Sequence, residues 1–329
     1  MTRSLALLTV CALAACLAGC VSEGPAPAPA APLQPVKVSG VDPEEAARRE
    51  LRLAQALVQL DQRVDRFVML SSQPGEDARA ERNLLGPALA AHVAQFQPEL
   101  IELVGDASNP ERRRIAAKSL AFSDDPAAVT GLVNCLAVKG DVRLLTNATY
   151  ALGRIHSPST PTAPLLALLR DPDADVRSNS LMALWHVFDA KHEIGASPLD
   201  PVAQRDAMTL LETALFDPAD PLVRAHAAAA VGALGDPRGV DPLLNMLRDE
   251  HPLVRTQTAI ALGKLGDEKA IPALVKVIDN TPAGTPRRAV LLALTALLEK
   301  KGITVPTTLG DESRAWERFV RESLGAPEK

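Results

Sequence analysis

The chain has 329 residues, 47% hydrophobic and 23% charged, values that suit a folded protein and exclude global disorder. Aromatic residues make up only 3%, while alanine and leucine abound, which fits stacked helices and argues against a β-sandwich. A net charge of −5 argues against nucleic-acid binding by bulk positive charge. Three of the four cysteines, Cys11, Cys16 and Cys20, crowd the first 20 residues, and Cys135 stands alone. Neither an intrachain disulfide framework nor a paired-cysteine zinc site can be built from that distribution.

Residues 1–19 open with Met-Thr-Arg and continue as an apolar run from Leu5 to Ala18, too short to span a bilayer. The run ends Leu17-Ala18-Gly19-Cys20, which closely resembles the lipobox of bacterial lipoproteins. The resemblance implies that Cys20 is lipidated and becomes the new N-terminus, with several acyl chains giving stable anchoring where one would not. Val21 stands where aspartate marks inner-membrane retention in that family, which implies the outer membrane. A plain secretory signal cut near Ala15 or Gly19 is the alternative. Loss of Arg3 with the signal takes the net charge from −5 to −6. Residues 20–40 carry proline at 25, 27, 29, 32 and 35 and no apolar periodicity. They read as an extended spacer reaching roughly 60 Å at about 3.1 Å per residue.

Asp42-Pro43-Glu44-Glu45 is a helix start with an acidic first turn. Leu51, Ala54, Leu57, Val58, Val64, Phe67 and Val68 are expected to form one apolar face running to about Leu70. A second helix follows Gly75 and bends near Pro87. Residues 41–108 thus read as a helical cap on the first repeat, with a short coiled-coil dimer as the alternative.

The body, 109–329, is repetitive. Five similar strings begin at Ala151, Ala183, Ala230, Ala261 and Ala293, at intervals of 32, 47, 31 and 32 residues, and a degenerate copy begins at Ser119. The surplus in the long interval falls at about 189–203. Each unit opens with an aspartate- or proline-bearing turn such as Asp171-Pro172-Asp173, continues with Val176-Arg177, Val223-Arg224 or Val254-Arg255, and closes with a second apolar run. Apolar residues recur three and four apart in both runs, so each unit is a pair of helices. The pattern predicts an all-α fold, with Arg314, Trp316, Phe319 and Leu324 forming a closing amphipathic helix.

The string Asp-x-x-x-x-Val-Arg-x-x-x-Ala-x-Ala-Leu-Gly-x-Leu-Gly-Asp resembles the short HEAT repeat first described in phycobilisome lyases. It covers about 109–325, and 249–280 matches best. The units depart from it at Arg112-Arg113, Leu144-Leu145, Trp185 and Pro286-Arg287. The resemblance implies an α-solenoid in which each arginine bonds the aspartate of its preceding turn, so that Asp171–Arg177, Asp217–Arg224 and Asp249–Arg255 form a structural ladder.

Catalytic motifs are missing from the sequence: there is no GxSxG, P-loop, GxGxxG after a strand or HExxH. The histidines show no metal-ligand spacing, no cofactor is implied, and Cys135 lies in an apolar run as a core residue. What remains is surface. The resemblance places the valine-arginine helices on the concave face, presenting Arg114, Lys118 and Phe122, then Asn147, Tyr150 and Arg154, then Asn179, Met182 and His186, with His226, Gln257 and Lys264 further on. Aromatic and arginine side chains are favoured at binding hot spots. Trp185, replacing a close-packing glycine, is expected to push the next unit away and to pack under the 189–203 insertion, a loop that is the other candidate contact region because insertions cluster on functional faces. The expected function is a lipid-anchored cell-envelope scaffold that binds a protein partner through the concave face, touches the membrane only through its lipid, and binds neither nucleic acid nor metal. A bilin-lyase-like enzyme and a purely structural envelope component are the alternatives.

Overall fold

A computed structural model describes residues 42–73, 75–281 and 283–325. The signal segment, Cys20 and the spacer expected over 20–40 lie outside the described residues. The chain divides into two compact units, 1–46 and 47–329. Of the first, only 42–46 are described, where the Glu44 N–H donates to Asp42 Oδ1 at 3.0 Å.

Among the described residues the secondary structure is helical throughout, with no strand. Three helices precede the repeats: α1 (Pro43–Ser72), α2 (Glu76–Gln95, continuing through Pro87) and α3 (Gln97–Gly105). Six pairs come after them: α4 (Pro110–Ser119) with α5 (Pro126–Cys135), α6 (Val142–Ile155) with α7 (Thr162–Ala167), α8 (Ala174–Glu193) with α9 (Pro201–Leu215), α10 (Pro221–Leu234) with α11 (Val240–Met246), α12 (Pro252–Leu265) with α13 (Ile271–Val277), and α14 (Thr285–Lys300) with α15 (Ser313–Leu324). Helices α4, α6, α8, α10, α12 and α14 each pack on the next, and the partner helices form a second layer. This is a HEAT-like α-solenoid.

Local chemistry explains the helix starts. Asn109, Asp125, Asp141, Asp173, Asp200 and Asp220 each accept a backbone N–H from the first turn of the helix they precede, and several of those helices carry proline in that turn. Alanine and leucine fill the interior, with Leu152, Leu181, Leu184, Leu243, Leu262 and Leu294 fully buried. Each such leucine contributes about 1.5–3 kcal/mol. The small residues let adjacent repeats touch. A Cβ on Gly232 would lie 2.6 Å from the Ala261 Cα, one on Gly263 would lie 2.9 Å from the Ala293 Cβ, and one on Gly153 would lie 3.1 Å from the Ala183 Cα.

The arginine–aspartate ladder is present, but its carboxylate partner lies one unit further on than the intra-unit pairing expected. Arg177 Nη1 donates to the carbonyls of Asp171 and Pro172 in its own turn, both at 3.0 Å, while Nη2 reaches Asp217 of the following unit at 2.8 Å. Arg224 repeats this, with the Asp217 carbonyl at 3.0 Å and both Asp249 oxygens at 2.8 and 3.1 Å. Arg255 donates to the Asp249 and Glu250 carbonyls and, across the next junction, to the Asn280 carbonyl. The physical reason is that each aspartate already serves its own turn: Asp217 Oδ1 accepts from the Ala219 and Asp220 N–H groups, and Asp249 Oδ1 from His251 N–H. Burial works to raise the Asp217 and Asp249 carboxyls, yet amide donors and arginine together hold both below the ordinary range.

Three further expectations, on α1, the insertion and Trp185, are corrected, and the closing helix forms as expected. The buried face of α1 is Leu53, Ala56, Leu57, Leu60, Val64, Phe67 and Leu70, whereas Leu51, Val58 and Val68 are exposed, because this 30-residue helix carries a second apolar stripe. The insertion is largely helix: 189–193 extend α8, 201–203 begin α9, and only 194–200 connect them. Trp185 does not separate α8 from α10, since Ser178 Oγ meets His226 Nδ1 at 2.9 Å and His192 Nε2 meets the Ala233 carbonyl at 2.9 Å. The closing helix α15 buries Trp316 and Val320, while Arg314 and Leu324 remain exposed.

Candidate functional site

The face of the α4–α14 layer carries most of the expected contact residues, but not all are available. Lys118 and Phe122, expected at the surface, are buried: Lys118 Nζ pairs with Asp61 and Asp65 of α1, each at 2.6 Å, and the Phe122 ring meets Phe67 edge-on at 5.1 Å. Helix α1 covers the first repeat on this side. Arg114 is paired with Asp141 and Glu111, and Asn147 donates to the Arg114 carbonyl. His226 is half-buried against Ser178, and Asn179 donates to the Asp175 carbonyl within its own helix. Arg114, Asn147 and His226 are thus engaged in holding neighbouring units, and Asn179 is engaged within its own.

Tyr150, Arg154, Met182 and His186 converge instead. With Phe67, Ser71, Gly153 and His156 they line a cavity of about 370 Å³. The Arg154 guanidinium lies over two rings, 4.4 Å from the Phe67 centroid and 4.2 Å from that of Phe122. Burial lowers its pKa, with Tyr150 opposing and Arg82 of α2 adding to the effect. Tyr150 is half-buried, not exposed as expected, and burial raises its hydroxyl pKa. His186 stacks on Trp185 at 4.7 Å and meets His156 edge-on at 5.9 Å. Burial lowers the His186 pKa, with His156 next in effect.

A second group adjoins the first. Trp185 Nε1 donates to Asp189 Oδ2 at 2.8 Å, and Lys264 Nζ meets both Asp189 oxygens at 2.8 Å while lying 5.8 Å from the Trp185 ring. Lys264 belongs to α12 and Asp189 to α8, so the two side chains meet across α10. A face on which helices two repeats apart touch is concave there. Trp185 therefore packs onto this face and not beneath a loop. His156 Nε2 lies 3.1 Å from Glu193 Oε2 at the end of α8.

Phe67, His156 and Trp185 were not among the expected contacts, whereas Asp189 and Glu193 fall in the 189–203 insertion, the second contact region expected. One signal could have found His156: it stands three residues after Gly153, where the fourth and fifth units have Gly235 and Gly266 three after Gly232 and Gly263. Those glycines adopt left-handed φ of 73° and 71°, and His156 adopts 52°, the one non-glycine residue with positive φ among those described. For a side chain that backbone costs roughly 1–2 kcal/mol.

A wider opening lies elsewhere. A groove of about 1100 Å³ runs along the second unit from the end of the first to the turn that opens the third, lined chiefly by Val133, Leu136, Val138, Val142, Leu145 and Leu168. Leu145 holds the position that Arg177, Arg224 and Arg255 hold in their units, so the junction of the second and third units lacks a rung, and among the described residues the Asp171 carboxylate accepts only from the Asp173 N–H. Cys135 is buried, and burial raises its thiol pKa, which suits a core residue. Among the described residues no cluster of three or more histidine, cysteine or acidic side chains could hold a metal, and no helix is long and apolar enough to cross a membrane.

A family of HEAT repeats matches residues 208–295, the span of the regular fourth and fifth units with their flanks. No curated protein matches the chain. Solved structures similar to it include a designed armadillo repeat protein, at 19% identity and TM-score 0.47, covering 61% of this chain and 99% of that one. Another designed armadillo repeat protein, solved with the peptide (KR)4, is 17% identical with TM-score 0.46, covering 61% of this chain and 98% of its own. The complex of CpcE and CpcF of phycocyanin lyase from Nostoc sp. PCC7120 is 20% identical with TM-score 0.43, covering 90% and 100%.

Proposed function

We propose that the protein is a tethered scaffold that binds a protein partner through the concave face of its second and third repeats. The observation that carries this reading is the convergence of Tyr150, Arg154, Met182 and His186 around one cavity, with Trp185 stacked on His186 and with His156, held in a left-handed conformation, in the cavity wall. Strained, aromatic and arginine-bearing positions concentrate where binding energy is needed. The lipobox-like Leu17-Ala18-Gly19-Cys20 supports anchoring to a bacterial envelope, at the outer membrane given Val21, with 20–40 as the tether.

A photo-crosslinking residue at Met182 in the full chain should capture one discrete protein in intact cells, and the same residue at exposed Lys276 on α13 should not. Tyr150→Ala should weaken that capture about tenfold, the 1.4 kcal/mol scale of a hot spot. Equal capture from both positions would place the partner on another surface. Cys20→Ala should release the protein from the membrane fraction; a membrane-bound mature form would sink the anchor.

A further inference from the structure

The face around Arg154 has an unusual charge balance. Four of its cations are already matched: Lys118 by Asp61 and Asp65, Arg112 by Glu50, Arg114 by Asp141 and Glu111, and Lys264 by Asp189. Arg154 has no carboxylate or carbonyl accepting from it among the described residues, and the charge of Arg82 on α2 bears on the same guanidinium. The guanidinium carbon lies over the Phe67 and Phe122 rings, and its N–H groups are left for an outside acceptor. A guanidinium edge presents parallel donors at the spacing of the two oxygens of a carboxylate. The Tyr150 hydroxyl lines the same cavity and likewise has no hydrogen-bond partner among the described residues.

We infer that Arg154 and Tyr150 form a receptor for a carboxylate of the partner polypeptide, an aspartate or glutamate side chain or a C-terminus, seated in the cavity between α1, α6 and α8. The inference rests on the scaffold reading and names the chemistry of its partner at that site. The volume of about 370 Å³ admits one acidic side chain with its neighbours, and Met182 and Phe67 supply apolar walls for the methylenes that carry it. Charge favours an anion, and geometry favours a carboxylate: its two coplanar oxygens match the guanidinium edge, and the Tyr150 hydroxyl supplies a further donor. Arg82 adds to the positive field that draws the anion in. The nearest anions, Asp189 and Glu193, are held by Lys264 and His156 and do not compete for the guanidinium.

The test titrates the full chain with an N-acetylated, C-amidated hexaglutamate peptide, its hexalysine counterpart and inorganic phosphate, read by calorimetry and by the fluorescence of Trp185, which stacks beside the cavity. Trp316→Phe removes the only other tryptophan signal. Hexaglutamate should bind, with Arg154→Gln weakening it at least tenfold, Arg154→Lys recovering part of the loss, and Tyr150→Phe producing a smaller loss. Arg154→Gln forfeits the two ring contacts and should melt somewhat below the parent, so every variant is titrated at a temperature where its melting curve shows it folded. Hexalysine should not bind, and a millimolar excess of phosphate should not displace hexaglutamate. Equal hexaglutamate affinity in the parent and Arg154→Gln, or displacement by phosphate at peptide-like concentrations, overturns the carboxylate assignment. Capture at Met182 that is indifferent to Arg154→Gln overturns it too, while leaving the scaffold standing. Absence of capture in the parent overturns the scaffold, and the peptide titration then decides the carboxylate assignment on its own.

Discussion

The fourth and fifth repeats differ from the second in two places, and each difference lies at one of the two cavities. In the regular pair an arginine ties each turn to the next, a glycine closes the first helix in a left-handed turn, and a glycine admits the neighbouring alanine. The second repeat keeps only the last of these. Leu145 replaces the arginine and leaves the apolar groove, while His156 replaces the closing glycine and turns an imidazole toward His186 and Glu193. Contact between helix cores is therefore separable from the ladder along the turns: at the junction of the second and third units the first is kept and the second is dispensed with. Where the repeat rule lapses, surface chemistry takes its place.

The largest expected effect tests the part both regions share. Gly232→Ala puts a Cβ 2.6 Å from the Ala261 Cα, a backbone atom that cannot rotate away. Overpacking of this kind costs about 1–3 kcal/mol, and the tightest contact should lie at the upper end. Gly153→Ala, at 3.1 Å from the Ala183 Cα, should cost clearly less. Chemical denaturation of both variants checks the order; equal losses would mean the second junction is packed as tightly as the fourth.

Next come the rungs. Arg224→Leu leaves the buried Asp249 carboxylate without its cation, and should destabilise by about 3 kcal/mol. Leu145→Arg adds a guanidinium opposite Asp171 at the junction that lacks one. The groove has room for it, so stability should change by no more than about 1 kcal/mol, with lost leucine burial offsetting the new pair. A loss as large as that of Arg224→Leu would show that the groove is not an unfilled rung.

The backbone at His156 gives an effect of opposite sign. His156→Gly should stabilise by about 1 kcal/mol by relieving the left-handed φ of 52°. It should also weaken capture at Met182, since the imidazole no longer faces His186. A stabilised variant with undiminished capture would remove His156 from the site.

Much of this is legible in the sequence because repetition averages out local ambiguity. Five copies of one string define helix pairs, their order and which positions face outward, so register alone places Tyr150, Arg154, Met182 and His186 on one face. Register says nothing about what lies over that face. Lys118 and Phe122 look exposed in the sequence because α1, outside the repeats, covers them through Asp61, Asp65 and Phe67. Its buried stripe cannot be picked out while Leu51, Val58 and Val68 offer a second one. The ladder misleads for a related reason: an arginine six or seven residues after an aspartate looks local, and only the turn geometry shows that the aspartate's near oxygen is already taken by backbone amides.

The smallest effect separates the histidines of the irregular region from the carboxylates of the ladder by pH. His186 and His226 have pKa values lowered by burial, so the folded protein binds their protons less readily than the unfolded chain. Stability is then fully present above the ordinary imidazole value of about 6.5, falls as pH drops below it, and stops falling once pH lies below the folded values. The groups facing His186 are His156, Asp189, His226 and Lys264; those facing His226 are Ser178 and Asp220. Asp220 raises the His226 pKa but does not outweigh burial. The ladder acts in another window: Asp217 and Asp249 are lowered, so their contribution is intact above the ordinary carboxylate range of about 3.9 and is lost as pH falls through their folded values. Melting temperature should thus decline in two steps on acidification. His226→Gln, which keeps a polar partner for Ser178 and cannot be protonated, should shrink the upper step and leave the lower one in place. Arg224→Leu should do the reverse. If His226→Gln leaves the upper step at full size, the burial of His226 is not what couples this region to pH, and His186 beside the cavity becomes the group to replace next.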